Sequence, residues 1–246
     1  MAEIASAKLS IEPSALPRDG AFVLDVGCGD GRHTRAAAAR ACRVIGVDYD
    51  ASEVKLARER SPGASFVAAD AGHLPFRDGV FDAVICTETL EHLRDDRGSM
   101  REIARVLSPH GLLHGAVPSH FTELVYFRLS EGYRNAPGGH VRIYAPHVLI
   151  ARLYSCGLQV TSFRYVHFVD SLIWLRYCLT DAVRRKRPRT DFEAAVLLAV
   201  AQERPVAGWR RRLRQAIAES RVIAAIDRIG ALVWPKSLTF TARRRR

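Results

Sequence analysis

Three glycines at alternate positions, Gly27, Gly29 and Gly31, follow the apolar run Phe22 to Val26. Glycine removes the Cβ where a chain must turn sharply and lets a ligand approach bare backbone. A helix starting just beyond would aim its free N–H groups at that ligand. Carboxylates recur around this turn: Asp25 two residues before Gly27, Asp48 closing the run RVIGVD, and Asp70 just after ASFVAA. Thr87 and Glu88 stand at the end of a fourth apolar run, VFDAVICT. Carboxylates accept hydrogen bonds and repel phosphate, so the group suits a ligand offering hydroxyl and amino donors. Asp48 and Asp70 could instead cap the helices that follow them. Further on, Glu88, Glu91, His92, His120, His140 and Tyr144 are side chains able to exchange a proton with a bound acceptor.

Bringing these groups together requires strands that end on one edge. Strands are expected at Phe22 to Val26, Arg43 to Asp48, Ala64 to Ala69, Val80 to Thr87 and Leu112 to Val117. Between them, Arg32 to Ala41 is alanine-rich and reads as helix, and Ala51 to Arg60 reads as a second, with Asp50 or Ser52 to cap it. A helical pattern follows Thr87 as far as Leu107, where Pro109 and Gly111 stop it. Such alternation implies βαβ units and a parallel sheet, whose ligands sit at the strand carboxyl ends where strand order reverses.

The G-x-G-x-G spacing behind Asp25 is one residue short of the dinucleotide fingerprint. It resembles motif I of the class I S-adenosylmethionine-dependent methyltransferases. Ala68 to Leu93, AADAGHLPFRDGVFDAVICTETLEHL, is similar to the following motifs of the type 11, ubiquinone/menaquinone-biosynthesis-like branch. Together the likeness covers roughly residues 20 to 120.

The resemblance implies a Rossmann-like α/β fold: a seven-stranded, mainly parallel sheet, helices on both faces and an antiparallel last strand; the residues left over between strands six and seven are expected to form a helical insert. It implies S-adenosyl-L-methionine as cofactor. Gly27, Gly29 and Gly31 would pass beneath it, with Cys28 among the contacts and Asp25 near its methionine end. Asp48 would accept the ribose hydroxyls, Tyr49 would meet the adenine edge, Asp70 would accept from the adenine amino group, and the Ala71 N–H would face a ring nitrogen. Thr87 would contact the methionine portion through its backbone. The implied reaction is methyl transfer to a small-molecule or lipid-like acceptor, with Glu88 and His92 as the catalytic candidates. Glu88-x-x-Glu91-His92 also resembles the metal-binding run of small-RNA 2′-O-methyltransferases, with His140 available as a distant histidine. That run is common in metal-free relatives, so no metal is expected. The alternatives are a metal-assisted RNA 2′-O-methyltransferase and a non-catalytic cofactor-binding module with a basic working surface.

By the same resemblance the sheet is completed by a helix at Pro146 to Gly157, strand six at Leu158 to Val166 and strand seven at Lys236 to Ala242, leaving the basic tail outside. The expected organisation is a lead-in at 1–20, a core at 21–166 carrying a lid over the acceptor pocket at 118–145, a helical basic insert at 167–234, and the last strand and tail at 235–246. In the insert, Phe168, Leu172, Leu175 and Leu179 recur at helical spacing. Asp191 could cap an apolar helix from Phe192 to Ala201, and Arg210, Arg214, Arg221 and Arg228 would line one helix face. The net charge is +11, yet residues 184–246 hold 17 Lys and Arg against 5 Asp and Glu, so the excess belongs to the C-terminal quarter. Basic helices flanked by Trp174, Trp209 and Trp234 suit an anionic membrane surface or a lipid-like acceptor. The absence of aromatic-basic interleaving argues against nucleic acid. Five scattered cysteines without a C-x-x-C pair fit reduced thiols in a cytoplasm, and no signal peptide or membrane span is expected.

Overall fold

A computed structural model describes residues 9–11, 17, 20–136, 138–184 and 220–245. One sheet is built from β1 Phe22–Val26, β2 Arg43–Asp48, β3 Ser65–Ala68, β4 Phe81–Thr87, β5 Leu107–Pro118, β6 Leu158–Val166 and β7 Ser237–Arg244. Its order is β3-β2-β1-β4-β5-β7-β6. The ladders from β3 through β5 are parallel, and β7 runs antiparallel between β5 and β6. The helices are α1 Arg32–Ala38, α2 Ala51–Arg60, α3 Asp96–Val106, α4 His120–Leu129, α5 Glu131–Arg134, α6 Pro146–Ser155, α7 Phe168–Arg184 and α8 Arg221–Gly230. This is the α/β architecture that the resemblance implied.

Val23, Leu24, Val26, Val84, Ile85 and Cys86 have no exposed surface, as strands covered by helices on both faces require. The larger core packs Leu24, Val84 and Leu113 against Met100 and Ile103 of α3 and Leu149 and Leu153 of α6. The chain winds outward from β1 to β2 and β3, then returns to place β4 on the other side of β1. Strand order therefore reverses between β1 and β4, which opens a crevice above their carboxyl ends.

Several boundaries differ from expectation. Helix α1 stops at Ala38, and Ala41 adopts φ 60°, which turns the chain so that the Arg43 N–H reaches Ala21 O at 2.9 Å. The helix after β4 starts only at Asp96, where Asp95 Oδ1 accepts from the Gly98 N–H at 2.8 Å. Pro109 and Gly111 fall inside β5, which begins at Leu107 and shifts its register on β4 between Phe81 and Ala83. Most of the terminal arginine run is part of the fold. Arg243 and Arg244 pair with Leu112 and Leu158 in β7, the Arg244 guanidinium donates to Leu107 O at 2.8 Å, and Arg245 stacks on the Tyr154 ring at 3.8 Å.

The 118–145 segment carries α4 and α5 against α7. Tyr126 Oη donates to Ser171 O at 2.7 Å, and Ser130 Oγ donates to Asp181 Oδ2 at 2.6 Å. The insert expected at 167–234 contains α7 and α8, joined by the Val169 N–H donating to Asp227 at 2.8 Å. Asp191, the Phe192 to Ala201 helix, Trp209, Arg210 and Arg214 lie outside the described residues.

Candidate active site

The glycine turn is held against the neighbouring strand: the Gly27 and Cys28 N–H groups donate to Val47 O at 2.8 and 3.0 Å. All three glycines have positive φ, a region that costs other residues steric strain. Their surroundings differ. A Cβ on Gly27 would lie 2.2 Å from Thr89 Oγ1, so that glycine serves packing. At Gly29, φ 49°, a Cβ would meet nothing within 4 Å. Gly29 is thus a bare stretch of backbone facing open space.

Asp48 stands at that space. Its Oδ2 accepts from the Gly29 N–H at 2.8 Å and its Oδ1 from the Asp50 N–H at 3.0 Å. The capping role falls to Asp50, whose Oδ1 accepts from the Ser52 N–H at 2.8 Å. Asp48 is therefore no helix cap, and each of its oxygens retains a lone pair for a ligand. Tyr49 beside it leaves 85% of its surface to solvent, which packing does not explain. At the end of β3, Asp70 is exposed; its Oδ1 accepts from the Gly72 N–H at 2.9 Å and its Oδ2 lies 3.5 Å from His73. Ala71 is buried. The loop they begin is fixed from below by α3: Arg105 donates to Phe76 O and Leu74 O, and Glu102 accepts from the Leu74 N–H at 2.8 Å.

Asp25 sits beneath the turn and is 1% exposed. Burial pushes its carboxyl up to about 6, against the opposing hydrogen bond from Thr34 Oγ1 at 2.6 Å. Cys28 is buried, and desolvation raises its thiol well above the usual range, so it stays protonated. Thr87 is buried with its carbonyl accepting from Thr89 Oγ1 at 3.0 Å. Its hydroxyl meets His33 Nδ1 at 3.2 Å, and His33 Nε2 accepts from the Ser10 N–H at 3.1 Å. A neutral His33 with an acceptor at Nε2 must carry its proton on Nδ1, which makes it the donor to Thr87.

The proton-exchange candidates cluster past β4. Glu88 adopts φ 50°, and its Oε1 accepts from Ser237 Oγ of β7 at 2.9 Å. Glu91 is completely buried, and neither carboxylate oxygen has a hydrogen-bond partner. Burial, reinforced by Glu88, holds its acid well above the usual carboxylate range. His92 retains solvent exposure, while the partial covering of its ring and then the proximity of His140 lower its pKa. His140 Nδ1 bonds to Glu123, a 2% exposed acid that also accepts from Tyr133 Oη at 3.0 Å. Glu91, His92 and His140 each offer a ligand atom, all within 4.8 Å of one another. Tyr144 is spent structurally, donating to Asp96 Oδ2 at 2.5 Å, and His120 Nδ1 is buried without a partner.

Sequence reasoning missed Thr34, His33, Thr89 and Glu123. Their roles depend on partners 9 to 63 residues away, and none carries a motif.

Residues 24–114 match a family model described as a methyltransferase domain. The stretch holds the glycine turn, Asp48, Asp70 and the run through His92. Among curated proteins, the chain is 38% identical over 112 residues to a Mycobacterium tuberculosis protein named "Probable S-adenosylmethionine-dependent methyltransferase", covering 46% of this chain and 40% of that protein. It is 35% identical over 103 residues to the demethylmenaquinone methyltransferase of Renibacterium salmoninarum, covering 42% and 44%. These matches span about two fifths of the relatives' own length. The fold is shared with a solved S-adenosylmethionine-dependent methyltransferase from Methanosarcina mazei, 17% identical, with a TM-score of 0.58 over 96% of this chain and 99% of that one. S-adenosylmethionine is the cofactor named for the Mycobacterium tuberculosis relative and for the Methanosarcina mazei structure. The site fits it: bare backbone at Gly29, an acceptor at Asp48, an exposed ring at Tyr49 and a second acceptor at Asp70 lie at the carboxyl ends of adjacent strands.

Proposed function

We propose that the chain is an S-adenosylmethionine-dependent methyltransferase acting on a small or lipid-like acceptor. The observation that carries this reading is the Asp48 carboxylate on the Gly29 N–H at 2.8 Å, beside backbone that a Cβ would leave uncontacted. A ligand resting on Gly29 meets an acceptor for paired hydroxyls, a carboxylate that would repel a pyrophosphate. When bound, the cofactor supplies a methyl group on a sulfonium, open to in-line displacement. The chain's part is positioning. Asp48 would accept the ribose hydroxyls, Tyr49 would lie on the base, Asp70 would accept its amino group, and the Thr87 end of β4 would border the amino-acid portion. Asp25 would act from beneath through the turn. An acceptor that must lose a proton would give it to Glu88 or His92.

A lipid-like acceptor is supported by the demethylmenaquinone methyltransferases among the relatives. It is also supported by exposed apolar side chains on α7 (Leu172, Leu179, Val183) and α8 (Val222, Ile226, Ile229). No helix among the described residues is long and apolar enough to cross a membrane, so contact with a bilayer would be peripheral.

Calorimetry with S-adenosylmethionine and with NAD tests the cofactor; binding of NAD alone would refute the reading. Incubation with methyl-labelled cofactor and a cell extract, followed by partition, tests the acceptor. Label confined to macromolecules would remove the small or lipid-like class. Flotation with anionic liposomes tests the surface, and equal recovery with neutral liposomes or with Leu179→Ser/Ile226→Ser would exclude it.

A further inference from the structure

We propose that Glu91, His92 and His140 form a binding site for a divalent transition-metal ion. One potential ligand atom from each lies within 4.8 Å of the others. Two imidazoles and one carboxylate are ligands that suit zinc, cobalt, iron or nickel and are poor for magnesium or calcium, which favour all-oxygen shells.

Three features make this more than a cluster. Glu91 has no exposed surface, yet both carboxylate oxygens lack a hydrogen-bond partner. A buried polar group left unpaired is costly, and a cation is the partner that would remove that cost. Both imidazoles are held in the form a metal needs. His92 Nδ1 faces Gly138 O at 2.8 Å, and because a carbonyl only accepts, Nδ1 must carry the proton and leave the Nε2 lone pair bare. His140 Nδ1 faces the Glu123 carboxylate, which likewise directs its proton to Nδ1 and leaves Nε2 bare. A carboxylate or carbonyl behind each histidine is the usual outer support of a histidine–metal site. Finally, the Val141 N–H donates to Glu91 O at 2.9 Å, and the two rings meet edge to face at 4.8 Å between centroids. The segment bearing His140 is therefore tied to the β4 end without any metal.

Glu88, expected as part of a metal run, is directed to Ser237, so three protein ligands remain and coordination positions stay open to water. With His92 Nε2 on the metal, Glu88 is the remaining proton acceptor of the methyltransferase reading.

The full-length protein, stripped by chelator, would be titrated with Zn2+ and with Co2+ without S-adenosylmethionine. Calorimetry would read stoichiometry and affinity, and cobalt absorption would read the ligand field. One equivalent should bind, with a tetrahedral or five-coordinate cobalt spectrum. Glu91→Gln, His92→Ala and His140→Ala should each weaken it at least about tenfold, and Glu123→Gln, which removes only the outer support, by roughly 10–100-fold. The near-isosteric Glu91→Gln keeps the core filled, and His110→Ala controls for surface histidines. Affinity equal in wild type, Glu91→Gln and His140→Ala would overturn the site, as would no saturable binding. Cofactor calorimetry in chelator reports separately on the methyltransferase reading, so either can fail alone.

Discussion

Replacing Gly29 with alanine separates binding from folding. An L-residue at φ 49° costs roughly 1–2 kcal/mol of backbone strain. No steric penalty is added, because the new methyl would have no atom within 4 Å. The variant should fold with stability lowered by about 1 kcal/mol, read by urea unfolding. Its methyl, however, would stand in the space where the cofactor meets backbone and would lift the ribose from Asp48. Two hydrogen bonds to a charged acceptor at about 1.5 kcal/mol each amount to about 3 kcal/mol, or roughly 100-fold in the dissociation constant. Gly27→Ala is the counterpart. Its Cβ would fall 2.2, 2.5 and 2.9 Å from three atoms of Thr89, at φ 71°. Strain and overpacking together should cost about 3 kcal/mol or more of stability. Calorimetry with S-adenosylmethionine on folded Gly29→Ala decides the matter. An affinity within threefold of wild type would refute the placement of the cofactor over Gly29.

Asp48→Ala should weaken S-adenosylmethionine binding by about 30- to 100-fold in calorimetry while the circular dichroism spectrum is retained, since α2 keeps its own cap at Asp50. Asp25 ionises at about 6 in the folded chain against an ordinary 3.8, so its contribution to stability is complete below about pH 4 and is lost as pH rises through 6. The loss approaches about 3 kcal/mol, and Asp25→Asn should abolish it; the advantage of the variant in urea unfolding should therefore be larger at pH 7 than at pH 4.5. Asp96 is 4% exposed and binds Tyr144, Arg142 and Arg152 at 2.5–2.6 Å. Asp96→Ala should cost about 2–3 kcal/mol, with increased amide exchange at residues 138–144, because both arginines lose their partner.

The sequence by itself determined the alternation of strands and helices, the glycine turn and the acids at strand ends. These depend on local rules: a two-sided buried strand must be apolar throughout, a positive-φ turn needs glycine, and Asp50 caps the helix beginning beside it. Even the misplaced ends of α1 and α3 are failures of reach. Ala41 has no propensity for φ 60°, and only the need of Arg43 to rejoin β1 puts it there. The tertiary structure decided which glycine serves packing and which leaves space, since that depends on Thr89 of another strand end. It also decided that the arginine tail joins β7 and that Glu123 stands behind His140. Side-chain partners brought together by a crossover leave no periodic trace in the chain. Local patterns therefore placed the glycine turn and the acids at the strand ends, and long-range packing alone settled which of those groups face one another.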